Sequence, residues 1–104
     1  MAQNAQGQPF DVLAARNGKS YPIDCKVCEH DKFALSRIEE NQAGAMTLWE
    51  ETGNGNGWFA LKLSNGAIFM IPWYQLRDCE KTTLNADEIA AKGMPLAAWV
   101  NRCS

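Results

Sequence analysis

The sequence predicts a single α+β domain, in which an antiparallel sheet of about four to five strands is packed by one or two C-terminal helices. Three observations support this prediction. Two apolar segments within residues 45–77 flank Asn65-Gly66, the dipeptide most typical of a two-residue hairpin turn. Residues 85–103 combine helix-capping signals with a helical spacing of apolar side chains. The 104-residue chain has the length of one domain and can bury a core without a metal ion or a disulfide.

A hairpin is predicted near the N-terminus. Asn17-Gly18 favours a two-residue turn, and residues 20–28 alternate in the way a strand does. The segment before the turn is ambiguous, since the proline and glycine that flank it also suit a short helix. In the hairpin register Asp11 faces Asp24, which sets two like charges against each other. The hairpin is still the favoured interpretation, because the same register pairs apolar side chains with one another.

Residues 45–77 are expected to form a meander of three antiparallel strands. Met46 and Leu48 alternate with Thr47 and Trp49, which indicates the first strand. A glycine-rich loop and two further strands follow at residues 53–57, 58–64 and 67–74.

The C-terminal region predicts two short helices. Asn85 is expected to cap the first helix, with Glu88 in the reciprocal position of a capping box. Gly93 and Pro95 then mark the end of this helix and the start of the second. The apolar face of the second helix contains Leu96, Trp99, Val100 and Cys103.

The central hairpin has an aromatic face that is a candidate partner-binding surface. A two-residue turn places Trp58 directly opposite Trp73 on this face. The face can equally be a buried layer or a homodimer seam, because strands that are apolar on both faces are usually covered on both. As an exposed platform it suits a protein partner, since aromatic side chains are enriched in such contacts. The candidate binding residues, with an acidic rim and the adjoining loop, are Trp49, Trp58, Phe69, Trp73, Glu50, Glu51, Asn54 and Asn56.

A cluster of cysteines and the chain's one histidine forms a candidate zinc site. Cys25 and Cys28 have the spacing of a zinc knuckle, and two further ligands are available among His30, Cys79 and Cys103, of which His30 and Cys79 are the favoured pair. In an extended strand, however, Cys25 and Cys28 point to opposite faces and cannot share an ion. The same Cys-x-x-Cys spacing also allows a redox or cysteine-enzyme function.

Composition and charge narrow the remaining function classes. The formal net charge is −2 and the 10 Lys and Arg residues are scattered, so nucleic-acid binding is not expected. The longest apolar stretch is far shorter than the roughly 20 residues of a membrane span. Residues 1–9 are polar, lack the features of a signal peptide and are expected to form a flexible arm ahead of a domain at residues 10–104. A cytoplasmic location with reduced thiols is therefore expected.

These features favour a small non-enzymatic interaction module. It is expected to use the aromatic sheet face and the adjoining loop to bind a protein partner or a second copy of itself, without a cofactor. The alternatives are a small zinc-binding protein and a thiol-dependent enzyme. No P-loop, dinucleotide fingerprint or serine-nucleophile motif is present in the sequence.

Overall fold

The protein is an α+β domain built on a five-stranded sheet, as seen in a computed structural model that describes residues 11–103. The α+β class predicted from the sequence is confirmed, whereas the predicted arm at residues 1–9 lies outside the described residues. The strands are β1 (Val12–Arg16), β2 (Lys19–Val27), β3 (Lys32–Ala34), β4 (Trp58–Lys62), β5 (Ile68–Pro72), β6 (Thr83–Asn85) and β7 (Met94–Pro95). The helices are α1 (Glu40–Glu51), α2 (Trp73–Arg77), α3 (Ala86–Lys92) and α4 (Leu96–Arg102), and 3₁₀ turns span Glu29–Asp31 and Leu35–Arg37.

The main sheet is mixed rather than wholly antiparallel, which corrects the sequence prediction. Its strands lie in the order β1-β2-β4-β5-β7, and β2 runs parallel to β4 while the other neighbours are antiparallel. Parallel neighbours require a long crossover, usually a helix, and α1 lies in that connection. The strands β3 and β6 form a separate two-stranded sheet. Turn residues reveal hairpins between neighbouring segments, but they carry no signal for a pairing between distant strands.

The N-terminal hairpin predicted from the sequence is present. Asn17 and Gly18 both have positive φ, 54° and 78°, as a type I′ turn requires. Strands β1 and β2 pair antiparallel with Val12 opposite Ile23. Just before β1, the backbone N–H of Asp11 donates to the Ile23 carbonyl at 3.0 Å. The hairpin therefore carries Asp11 to the outer edge of β2.

The helix α1 replaces the first strand of the predicted meander. The side-chain Oε1 of Gln42 accepts the backbone N–H of Glu39 at 3.1 Å, which caps the start of the helix. Gln42 and Met46 lie one helical turn apart and are both buried, whereas Leu48 is exposed. The alternation around Met46 and Leu48 covers too few residues to separate a period of 2 from a period of 3.6.

The hairpin of β4 and β5 is shifted by one residue from its predicted register. A loop over residues 64–66, with Gly66 at a φ of 89°, replaces the two-residue turn. Trp58 consequently lies opposite Pro72, and the next residue, Trp73, starts α2 instead of continuing the strand. A shift of one residue moves every side chain of β5 to the other face of the sheet.

Helices cover both faces of the sheet. The face that contains Phe59, Leu61 and Ile71 packs against α1, α2, α3 and the small sheet, and we call it the α1 face. The opposite face, which contains Ile23, packs against Trp99 of α4. The side chain of residue 24 on β2 belongs to the α1 face, because successive strand residues alternate.

The two C-terminal helices confirm the sequence prediction. Asn85 Oδ1 accepts the backbone N–H of Glu88, and Glu88 Oε1 accepts the backbone N–H of Asn85, both at 2.9 Å. On α4 Trp99 is buried, while Leu96 and Val100 remain partly exposed. No helix in the described part of the chain is both long enough and apolar enough to cross a lipid bilayer.

Substitution of Gly93 tests how closely the backbone approaches β5 just after α3. A Cβ added there would lie 2.7 Å from the Met70 carbonyl oxygen and 2.7 Å from Ile71 Cγ1, so the backbone or side chain would have to move. We expect Gly93→Ala to lower the free energy of unfolding by about 1–3 kcal/mol in urea denaturation. Gly44 in α1 has nothing within 4 Å of an added Cβ. Gly44→Ala should therefore raise the free energy of unfolding by about 0.5–1 kcal/mol. A Gly93→Ala variant that is more stable than the wild type would contradict the close packing of Gly93 against β5.

Candidate active site

Two carboxylates meet at the outer edge of β2. Asp24 lies within the strand and is 1% exposed, whereas Asp11 lies just before β1 and is exposed. The backbone N–H of Cys25 donates to Asp11 Oδ2 at 2.9 Å, which holds the Asp11 side chain against the strand. Asp11 precedes the last register pair of the hairpin, Val12 with Ile23, and its charge raises the pKa of Asp24, so the unfavourable like-charge contact expected from the sequence is real.

The buried carboxylate of Asp24 is held by one amide and one ammonium group. Gln42 Nε2 donates to Asp24 Oδ1 at 2.8 Å, and Lys26 Nζ lies 3.2 Å from Asp24 Oδ2. Lys26 Nζ also donates to Gln42 Oε1 at 3.3 Å. Asp24 and Lys26 share the α1 face because they are two residues apart on a strand. Gln42 reaches them from the first turn of α1, so strand and helix together define the site.

The charges in this site do not balance. The pKa of Asp24 is raised to about 6, mainly by burial and also by the negative charge of Asp11, and Lys26 opposes both effects. Asp24 Oδ2 is buried without a hydrogen bond of good geometry, so its contact with Lys26 is mainly Coulombic. Two carboxylates with one ammonium group leave a net negative site that attracts a further cation.

The donor set fits a hard divalent cation such as Mg²⁺. Such an ion is commonly held by one or two carboxylates, with water and substrate phosphates as the remaining ligands. The carboxylates of Asp11 and Asp24 provide that number, and Asp24 Oδ2 has a lone pair to offer. Among residues 11–103 no group of three or more His, Cys, Asp or Glu side chains is close enough to hold a metal ion. Among the described residues, the other ligands of an ion in this site would be oxygen atoms of the backbone, of water or of substrate.

The structure does not bring the predicted aromatic surface together. Trp58 packs on the α4 side of the sheet, whereas Phe69 packs on the α1 face. Trp73 is buried at the start of α2, where its Nε1 donates to Thr47 Oγ1 at 2.9 Å. Trp49 is half-buried on α1. The register shift of β5 and the helical state of α1 are the physical reasons for this separation.

The predicted acidic rim and loop are also dispersed. Glu50 forms an ion pair with Arg77 at 3.3 Å. Glu51 and Asn54 are exposed, and Asn56 is half-buried in the loop before β4. None of these residues contributes to the carboxylate site.

The predicted zinc ligands do not converge. The chain does turn after β2, into the 3₁₀ turn at Glu29–Asp31. Cys25 nevertheless lies exposed on β2, while Cys28 is buried in the core of the α1 face. His30 is exposed with a φ of 59°, and Cys79 is half-buried near α2. The zinc hypothesis therefore has no ligand cluster within the described residues.

Sequence reasoning missed all four residues of the site, although one signal was available. The hairpin register had placed Asp11 against Asp24, and this pairing counted only as an unfavourable contact. Combined with Lys26 on the same strand face, a forced pair of like charges indicates a functional site, because such pairs perturb pKa values. Gln42 could not be identified, because the segment that carries it was not recognised as a helix.

Known proteins provide an independent comparison. The sequence profile of the archaeal Holliday junction resolvase family, Hjc, matches residues 2–104. A solved structure of Hjc from the hyperthermophile Archaeoglobus fulgidus, described as a Holliday junction resolvase, superposes with a TM-score of 0.65. The two sequences are 17% identical over an alignment that covers 88% of this chain and 73% of that one, so the superposition establishes a shared fold. No protein in the curated set matches the sequence significantly.

The family match corrects two predictions made from the sequence. A non-enzymatic protein-interaction module is wrong, since the matching family consists of nucleases that act on DNA junctions. The expectation that nucleic acid is not a partner is wrong for the same reason. The net charge of −2 describes the whole chain, and it does not describe the local surface that meets a phosphate backbone.

Asp24 should make stability depend on pH. Its pKa is about 6 in the folded protein and about 3.8 when exposed, so the folded state binds more protons than the unfolded state between these values. The free energy of unfolding should therefore fall as pH rises from about 4 to 6, by an amount on the order of 1–3 kcal/mol. Urea denaturation at several pH values, with EDTA present, measures this loss.

Asp24→Asn provides the control for this pH effect. The variant cannot ionise at position 24, so it should lack most of the loss between pH 4 and 6 and be more stable than the wild type at pH 7. Equal pH profiles for the two proteins would show that Asp24 is not the titrating group.

Proposed function

Because the chain belongs to the archaeal Holliday junction resolvase (Hjc) family, we propose that it is an endonuclease that hydrolyses phosphodiester bonds in branched DNA. The observation that supports this function best is the group formed by Asp11, Asp24, Lys26 and Gln42. It combines two carboxylates, one ammonium group and a positioning amide where β2 extends past its described pairing with β1. This combination suits hydrolysis of a phosphodiester, whose phosphate is anionic and whose reaction needs an activated water molecule.

Asp11 and Asp24 are the residues that would hold a divalent cation. When bound, such an ion neutralises charge on the phosphate and lowers the pKa of a coordinated water. The burial of Asp24 suits this role, because the electrostatic attraction between its carboxylate and a cation is stronger in the low-dielectric interior than in water. Asp11 is exposed, so the site opens toward solvent on the side from which DNA can approach.

Lys26 and Gln42 both hold Asp24, and Lys26 can also act on the substrate. Lys26 presents an ammonium group 3.2 Å from Asp24, where it can also stabilise negative charge that develops on the phosphate. Gln42 uses its amide N–H on Asp24 and its carbonyl oxygen on Lys26, so it fixes the separation of the two. Gln42 is therefore a positioning residue rather than a catalytic one.

Branched DNA is the substrate class that the family membership suggests. The Archaeoglobus fulgidus relative is described as a Holliday junction resolvase, that is, an enzyme for four-way DNA junctions. A DNA substrate also agrees with the cytoplasmic location expected from the sequence. The exposed β1 edge beside Asp11 leaves the site open to a large polymeric substrate.

Substitution of Asp24 tests the assignment of the site. We expect Asp24→Asn to lower the rate of cleavage of a four-way DNA junction, assayed with Mg²⁺, by at least about 100-fold. Binding of the junction in EDTA should persist, because the variant removes one negative charge and no positive charge. Gel assays with end-labelled strands measure both quantities.

Asp87→Asn is the matched control for charge. Asp87 is exposed in the first turn of α3, away from the carboxylate pair, and the same substitution there should leave cleavage unchanged. Full cleavage by Asp24→Asn would exclude the carboxylate pair as the catalytic site.

A further inference from the structure

Arg37 lies on the same side of β2 as Asp11, along the part of the strand that follows its described pairing with β1. Its Nη1 donates to the backbone carbonyl of Val27 at 2.7 Å. Alternate residues of a strand direct their backbone groups to the same neighbour, so the Val27 carbonyl faces the same edge as the Cys25 N–H that holds Asp11. Val27 and Cys25 are two residues apart, a separation of about 7 Å along a strand. Arg37 is therefore anchored on the same side of β2 as Asp11, two residues further along the strand.

The Arg37 guanidinium is held on one side by two contacts and is exposed to solvent on the other. Besides the bond to Val27, its Cζ lies 5.6 Å from the ring centroid of Phe33, which is fully buried. Arg37 itself is exposed. A guanidinium group carries five N–H donors, and one bond to a carbonyl leaves a planar fork that matches two phosphate oxygens. The side chain is thus held ready for an anion before any anion arrives.

The charge of Arg37 is not neutralised by a neighbouring carboxylate. Within residues 11–103 it forms no ion pair, whereas Arg77 is paired with both Glu50 and Asp78. Arg37 borders an open groove that also contains Lys32, an exposed side chain on β3. The complete lining of this groove is Val27, Glu29, Lys32, Ala34, Arg37 and Thr83. It contains two cations and one carboxylate, so its net charge is positive in a chain that is acidic as a whole.

We propose that Arg37 and Lys32 form a phosphate-binding subsite for the DNA strand that enters the active site. This inference rests on the proposed nuclease function. The two backbone anchor points on β2 are about 7 Å apart, which is comparable with the distance between neighbouring phosphates of one DNA strand. The subsite would therefore hold a backbone phosphate close to the one that is cut. Contacts of this kind fix the position of the strand without reading its sequence.

Salt-dependent binding of a four-way DNA junction in EDTA tests this subsite directly. We expect Arg37→Gln to weaken binding roughly tenfold at low salt. The slope of log affinity against log salt concentration should fall by about one, because one phosphate contact is lost. Arg37→Lys keeps the positive charge but loses the planar N–H donors of the guanidinium group. It should therefore retain the wild-type salt slope, with an affinity between those of the wild type and Arg37→Gln. Lys32→Gln should also reduce the slope, which provides a second variant if Arg37→Gln is poorly folded.

Arg16→Gln is the matched control. Arg16 is also exposed and also donates from Nη1 to a backbone carbonyl, that of Val100 at 3.4 Å, but it lies at the far end of the β1–β2 hairpin. The control should keep the wild-type affinity, slope and cleavage rate. Equal effects of Arg37→Gln and Arg16→Gln, or no effect of Arg37→Gln and Lys32→Gln, would overturn the subsite while leaving the nuclease function in place. A wild-type protein that neither binds nor cuts the junction would overturn both.

Discussion

The burial of the Asp24 carboxylate is the constraint on which the rest of the structure depends. A buried ionised group is unfavourable unless hydrogen bonds and opposite charge compensate for the lost water. Lys26 provides the charge from the same strand, and Gln42 provides the hydrogen bond from α1. Gln42 is available only because the chain crosses over the sheet between β2 and β4 as a helix. The parallel strand pair, the position of α1 and the site therefore form one arrangement.

This arrangement leaves negative charge uncompensated, which is unusual in a protein core and is what the proposed nuclease function would use. Asp11 adds a second negative charge beside Asp24, and Lys26 alone does not compensate for both. If Asp24 and Lys26 formed only a structural ion pair, replacing Asp11 with a neutral residue would stabilise the folded protein. In the proposed nuclease, the excess negative charge of the carboxylates would attract a divalent cation. The bound cation would supply the missing positive charge and would in turn attract the anionic DNA backbone. Natural proteins tend to break local rules of stability at such places.

The parts of the fold that follow from local signals could be predicted from the sequence. Asn17-Gly18 specified the first hairpin, and the pair Asn85 and Glu88 specified the start of α3. The failures came where local signals are weak. Four residues of alternation could not distinguish a strand from α1, and Gly66 served a three-residue loop as readily as a two-residue turn.

The candidate active site could not be predicted from the sequence for a related reason. Its members come from the end of a hairpin, the middle of a strand and the first turn of a helix, and only the fold brings them together. The cysteines and histidine drew attention because their residue types suggest chemistry in any context. Asp11, Asp24 and Lys26 are ordinary surface residue types, and they acquire chemistry through burial and mutual distance. The net charge led to the wrong prediction about nucleic acid for the same reason. It averages over the whole surface, whereas Arg37 and Lys32 lie together in a groove whose lining contains one carboxylate.

The most direct test of the central claim compares two DNA substrates of the same sequence, an immobile four-way junction and a linear duplex, cut by the wild-type protein with Mg²⁺. A nuclease built on the Asp11–Asp24 pair for branched DNA should cut the junction strands close to the branch point and leave the duplex intact. Cleavage should stop when EDTA removes the divalent cation. An intact junction under these conditions, or equal cleavage of both substrates, would contradict the account.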